Sequence, residues 1–334
     1  MPSLYFRASV TTNHTEINSR VICENLFWQY GMQREMRSRN GKRKVKIMEQ
    51  NIENTQSIAE PMSRQKKVAA INDLTGYGRC ALTVSLPVIS HMKLQCCPVP
   101  TSILSNHTGY PEYYFDDYTD RLPEYLAMWK KLNLSFDGIM SGFLGSAEQI
   151  GMVERFIKTF RKEHTIVVVD PVMGDHGSIS SVYTEEMCLL MRRLVSLADI
   201  VTPNLTEGCR LTDVSYRDHG WTRKELLRMA EHLTDYGPQK VVITGIPQGE
   251  FIANFMYEKD REPGMIRTHR IFEERCGTGD LFASIITADA VNGVEFEQSV
   301  RKACRFIKKC MIKTAEMHIE PKNGVCFEEI LHLL

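Results

Sequence analysis

The chain has 334 residues, and its 41 Lys and Arg balance 41 Asp and Glu, so net charge gives no ground for a nucleic-acid or membrane-surface partner. Ten cysteines without a C-x-x-C pair or a His/Cys cluster of zinc spacing argue against a structural metal site and fit small core residues in a reducing compartment. No stretch approaches the roughly 18 consecutive apolar residues of a membrane helix, and the N-terminus lacks the order of a secretory signal, so the expected location is cytoplasmic.

In chain order, residues 1–64 come first and read as a disordered or dispensable extension. Their apolar positions are sparse, Arg34–Lys46 is a charged run, and such a segment buries too little apolar surface to offset its ordering entropy. Met62 stands just before the first strand, which makes it an alternative translation start; an intact mass that includes residues 1–61 would exclude this. Residues 65–334 read as one domain. Its expected strands are Val68–Ile71, Gln95–Val99, Gly138–Met140, Thr165–Val169, Ile200–Thr202 and Val241–Thr244, then Phe251–Tyr257 and Met265–His269. Helical period marks Gly78–Ser90, Asp120–Leu132, Ala147–Glu163, Thr184–Leu197 and Thr222–Tyr236, and Phe296, Val300, Cys304, Ile307 and Met311 form one apolar helix face. Near-continuous apolar strands such as IVVV imply burial on both faces. The fold class is therefore α/β, a doubly wound, mainly parallel sheet flanked by helices. Gly109–Asp120, dense in aromatics and acids, reads as a surface loop or a flap over a substrate mouth.

Ligands of open parallel sheets bind beyond the carboxyl ends of the strands. Here those ends are polar: Asn72-Asp73, Asp170-Pro171, Thr202-Pro203-Asn204 and Thr244-Gly245. One carboxylate in such a place is accounted for by a cap or an ion pair; several on one rim point to an active site. The sharpest local signal is Arg275–Ala283 (RCGTGDLFA), where two glycines flank Thr278 and an apolar helix follows. A helix N-terminus with free amides favours an anion. Asp280 in its first turn fits a plain cap, and it equally stands where a base would take a hydroxyl proton during phosphoryl transfer. Neither a G-x-x-x-x-G-K-[ST] loop nor a G-x-G-x-x-G after a strand is present.

Five motifs in order, SNHTGY (105–110), SGFLGS (141–146), DPVMGD (170–175), TPNLTE (202–207) and GTGDLFAS (277–284), together resemble the pyridoxal kinase family of the ribokinase-like superfamily, from about Lys67 to the C-terminus. The opening INDLTGYGRCALTVSLP is similar to the branch that overlaps with hydroxymethylpyrimidine kinases. The resemblance implies ATP-dependent phosphorylation of the 5′-hydroxymethyl group of pyridoxal, pyridoxine or pyridoxamine. It implies Asp280 as the base and the amides of Gly277, Thr278 and Gly279 as the anion hole. Asp170, Asp175, Thr202, Asn204 and Thr244 fall on the ATP side, with Asp170 and Glu207 in the network holding Mg²⁺. Asp73, Thr108 and Phe143 fall on the substrate ring, where Asp73 departs from relatives carrying Ser and leaves a hydroxymethylpyrimidine kinase as the alternative. A non-catalytic ligand-binding relative is the third reading, opposed by the intact GTGD and TPNLTE. A monovalent cation and a homodimer follow only from the resemblance.

Overall fold

Short β-branched runs form the strands, and segments of helical period form the layers that cover them, in a computed structural model that describes residues 64–271 and 274–334. In chain order these are β1 (Lys67–Tyr77), α1 (Leu82–His91), β2 (Gln95–Asn106), β3 (Phe115–Asp117), α2 (Leu122–Lys131), β4 (Gly138–Ser141) and α3 (Ala147–Phe160). There follow β5 (Ile166–Val169), β6 (Gly174–Asp175), β7 (Ser178–Ile179), α4 (Glu185–Val195), β8 (Ile200–Val201), α5 (Leu205–Leu211) and α6 (Arg223–Asp235). The chain ends through β9 (Lys240–Gln248), β10 (Phe251–Glu258), β11 (Gly264–His269), α7 (Thr278–Asn292) and α8 (Phe296–Glu316). The expectation for residues 1–64, including the basic run Arg34–Lys46, lies outside the described residues except for Arg64.

Among the described residues one sheet has the order β11-β10-β9-β8-β5-β4-β1-β2-β3, and β6 with β7 forms a separate hairpin. From β2 to β9 neighbouring strands run parallel, while β3, β10 and β11 close the two edges antiparallel. Alternation along each central strand divides the core. Ala69, Ile71, Val167 and Val169 meet the layer of α2, α3, α4, α5 and α6, whereas Val68, Ala70 and Val168 meet α1, α7 and α8. All seven strand residues are at most 1% exposed, which is why the strands read as unbroken apolar runs. The chain steps from β1 to β2 on one side and returns to β4 on the other. Strand order therefore reverses at the β1/β4 boundary, where an open α/β sheet forms its ligand crevice.

Four expectations need correction. β1 continues to Tyr77 beside β2, but its pairing with β4 stops at Ile71, and its register slips between Asn72 and Leu74. Asn72 and Asp73 thus sit at a bulge, still on the rim of the β4 side, rather than at a strand end. β9 likewise runs past Thr244 into the hairpin with β10. The helix expected from Gly78 begins only at Leu82, because Gly78 (φ 95°) and Ala81 (φ 51°) have backbone angles no right-handed helix accommodates. Gly109–Asp120 is not wholly a loop, since Phe115–Asp117 pairs with Ser102–Leu104 as an edge strand.

Candidate active site

A cleft of about 1100 Å³ opens at the carboxyl rim of the sheet. It brings together Asp73, Thr108 and Phe143; Asp170 and Asp175; Thr202, Asn204 and Glu207; Thr244; and Thr278, Gly279 and Asp280. Of the residues singled out in the sequence, only Gly277 lies behind the wall.

Its position is set by backbone. Gly277 caps the N-terminus of α7 at φ 90°, a left-handed conformation glycine adopts without a Cβ penalty. A Cβ there would fall 2.0 Å from the Arg79 carbonyl oxygen. The loop after β1 is thereby pressed onto the start of α7, and Cys276 Sγ donates to the same carbonyl at 3.4 Å. Thr278 and Gly279 line the cleft, and amides of a first turn have no carbonyl partner within their own helix. A Cβ on Gly279 would meet nothing within 4 Å, so this glycine leaves room in the cleft rather than in the protein.

Asp280 is half-buried in that turn. Burial pushes its carboxyl above the ordinary aspartate range, while the N–H of Ala81, the Asn72 amide and its own N–H pull it part of the way back. Asn72 Nδ2 donates to Asp280 Oδ1 at 3.1 Å. Asp73, 9% exposed, is pushed up to about 6, chiefly by burial, opposed by the Thr75 hydroxyl and reinforced by the charge of Asp280. Thr75 Oγ1 donates to Asp73 Oδ2 at 2.6 Å.

Across the cleft, Thr202 Oγ1 donates to Asp170 Oδ1 at 3.0 Å. Burial and the Asp280 charge raise the Asp170 carboxyl, and burial with the Asp170 charge raises Glu207. Glu207 is 3% exposed and both its oxygens are engaged by main chain: Asn204 N–H donates at 2.8 Å and Met173 N–H at 3.0 Å. Asn204 returns a bond to the Glu207 N–H, which completes a capping box on α5. Its Nδ2 reaches the Gly174 carbonyl at 2.7 Å. TPNLTE thus ties α5 to the strand-to-hairpin turn that carries Asp170 and Asp175. Asp175 itself is exposed on that hairpin, and His176 beside it contacts Glu274 ahead of the turn that opens α7.

Among the described residues, Asp73, Asp170, Glu207 and Asp280 form no ion pair with any basic side chain. Hard oxygen donors that no basic side chain neutralises suit a divalent cation of the Mg²⁺ type. Phe143 is half-buried, its ring 6.4 Å from that of Tyr183. Thr108 is exposed at the mouth, and the Thr244 N–H donates to the Pro203 carbonyl at 2.9 Å.

The sequence reading left three participants without a role. Asn72 was visible as a polar residue interrupting an apolar strand. Ala81, whose N–H reaches Asp280, carries no sequence signal. Arg275 lines the cleft and buries an Nη1 that lacks a hydrogen-bond partner among the described residues; its place two residues before Gly277 was the available hint.

The phosphomethylpyrimidine kinase family model matches residues 88–325. A pyridoxine/pyridoxal/pyridoxamine kinase of Bordetella avium is 28% identical over 270 residues, which is 74% of this chain and 85% of that protein. The pyridoxal kinase of Bos taurus is 30% identical over 251 residues, 68% of this chain and 78% of that one. A candidate phosphomethylpyrimidine kinase from Bacteroides thetaiotaomicron, crystallised in a form with pyridoxal, superposes with a TM-score of 0.78 at 38% identity, covering 81% of this chain and 96% of its own. The chain belongs to the phosphomethylpyrimidine kinase and pyridoxal kinase family of alcohol-phosphorylating enzymes.

Proposed function

We propose that this enzyme transfers the γ-phosphoryl group of ATP to the 5′-hydroxymethyl group of pyridoxal, pyridoxine or pyridoxamine, yielding the 5′-phosphate and ADP. The observation that carries this reading is the meeting of Asp280 with the first-turn amides of α7 at the sheet's switch-point crevice. A phosphoryl transfer asks a protein for positioning and charge stabilisation more than for covalent help. The Asp280 carboxylate takes the hydroxyl proton as the alcohol oxygen bonds to phosphorus and the bond to ADP breaks. A carboxyl raised by burial is a stronger base than an ordinary aspartate. The amides of Thr278 and Gly279, which line the cleft, receive the charge on the transferring group, and Gly277, expected in the same anion hole, sets the turn behind them.

On the nucleotide side this reading assigns Asp170, Asp175, Thr202, Asn204 and Thr244. Asp170, with Glu207 through water, would hold Mg²⁺, which neutralises charge on the phosphates when bound. On the substrate side it assigns Thr108 at the mouth, Phe143 against the ring and Asp73 to a ring N–H or an amino group. The catalytic domain is residues 65–334, a reading supported by the core that the described residues from Val68 to Phe327 build among themselves. A cytosolic setting is supported by the free state of the described cysteines. Among the described residues no helix is long and apolar enough to cross a membrane.

The test is ADP release with ATP and each purified alcohol in turn: the three vitamers and hydroxymethylpyrimidine. A kcat/KM at least about tenfold higher for a vitamer is expected, a margin of about 1.4 kcal/mol in transition-state binding. Preference for the pyrimidine would overturn the substrate assignment.

A further inference from the structure

Asn72 is 3% exposed and stands at the bulge of β1 with both ends of its amide in use. Its Oδ1 accepts the N–H of Asp73 at 3.0 Å and the N–H of Phe143 at 2.8 Å. Two main-chain donors can be met only by the carbonyl end of an Asn, so the network fixes which way the amide faces. Its donor end must then point toward α7, where Nδ2 reaches Asp280 Oδ1 at 3.1 Å. The amide is also packed from behind. A Cβ on Gly142 would fall 2.5 Å from Asn72 Nδ2, so the turn after β4 closes on the amide only because residue 142 has no side chain.

We propose that Asn72 is a positioning residue, one buried amide that sets the distance between the base Asp280 and the substrate-ring residues Asp73 and Phe143. This rests on the function proposed above. Asp73 comes from β1, Phe143 from the turn after β4 and Asp280 from the first turn of α7, and one planar group joins all three. Its rigidity matters because a base misplaced by about 1 Å loses on the order of a hundredfold in rate. A hydroxyl at this position would not present two acceptor directions and one donor in the same plane, and a longer amide would present them displaced by a methylene.

The test separates this role from a merely structural one by asking whether the effect of Asn72 depends on Asp280. Asn72→Ala should lower kcat roughly 10- to 100-fold while KM for ATP stays within about twofold. In an Asp280→Asn background the same change should cost less than about threefold, because two groups acting as a unit are non-additive. An equal fold-loss in both backgrounds would overturn the proposal. Should Asn72→Ala fold poorly, Asn72→Asp keeps an acceptor for both N–H groups, while it replaces the donor to Asp280 with a second carboxylate oxygen that repels it. It should retain ATP affinity and lose turnover, and wild-type turnover in that variant would also refute the role. Thermal midpoints of the same single and double variants read the Asn72–Asp280 coupling without any substrate. If the wild-type chain phosphorylates no vitamer, the substrate assignment falls, whereas additive thermal midpoints would sink the Asn72 inference whatever the substrate.

Discussion

Gly277 and the carbonyl of Arg79 are in backbone contact that no other residue type at 277 allows: a Cβ would sit 2.0 Å from that oxygen, on a backbone already at φ 90°. Two residues on, Gly279 has no such constraint, and a Cβ there meets only the open cleft. The two glycines of one motif therefore have separable duties. Gly277→Ala should destabilise the protein by about 3 kcal/mol or more, through strain and a backbone clash. Gly279→Ala should leave the thermal midpoint unchanged or slightly higher, since alanine is the better helix former by about 1 kcal/mol, yet raise KM for ATP or lower kcat at least about tenfold. Thermal unfolding and steady-state kinetics on both variants check the contrast. Similar behaviour in the two would refute it.

Asp280→Asn preserves shape and removes the basic oxygen. With general-base catalysis worth roughly 10²–10⁴ in rate, kcat should fall by that order, while the affinity for ADP measured by calorimetry stays within about threefold. Turnover near that of the parent would exclude Asp280 as the base. Nucleotide affinity lost in parallel would assign it to binding instead.

The burial of Asp73 has a consequence for stability. In the folded protein its carboxyl keeps its proton to about pH 6, whereas an ordinary aspartate releases it near 3.8. The native state therefore binds the proton more tightly than the unfolded chain, and stability falls as pH rises through that interval. Asp73→Asn, which can still accept from the Thr75 hydroxyl, removes this loss. The variant should be the more stable protein at pH 8, by up to about 3 kcal/mol, and the difference should close near pH 4. Urea unfolding at the two pH values measures it; a gap that is the same at both would show that charge burial is not the cause.

Much of this architecture was legible in the sequence because buried parallel strands leave an unmistakable trace: IVVV at Ile166–Val169 can only face apolar neighbours on both sides, and it does. The rim was legible for a related reason, since polar residues directly after such runs stand out. What stayed hidden was decided by contacts distant in the chain. Nothing near Gly277 indicates that Arg79 lies against it, and Ala81 takes an unfavourable conformation (φ 51°, ψ −134°) that no alanine advertises. The hairpin of β6 and β7 has two residues in each strand, too few for periodicity. TPNLTE shows the opposite failure. Its N-x-x-E spacing is that of a capping box, and the structure has one there, a local role that the ligand chemistry of the motif does not use.

The carboxylates of the cleft make divalent-cation dependence testable without turnover. Asp170 and Glu207 repel each other in a buried setting, and Asp280 adds to the charge on Asp170, so in the free protein Asp170 and Glu207 hold protons above the ordinary carboxylate range. A cation binds the deprotonated form, so binding must release those protons and strengthen as pH rises. Mg²⁺ added to the ADP complex should therefore raise the thermal midpoint beyond that with ADP alone, and by more at pH 8 than at pH 6. Asp170→Asn removes one ligand and the source of the repulsion on Glu207, so both the increment and its pH dependence should shrink. Glu207→Gln should act differently: the Met173 and Asn204 N–H groups meet different oxygens of Glu207, and Gln turns one of those oxygens into a donor, so this variant should lose about 1–3 kcal/mol of stability with or without Mg²⁺. If Asp170→Asn keeps the full Mg²⁺ increment while Glu207→Gln loses it, the two roles are reversed and Glu207 is the residue that meets the ion.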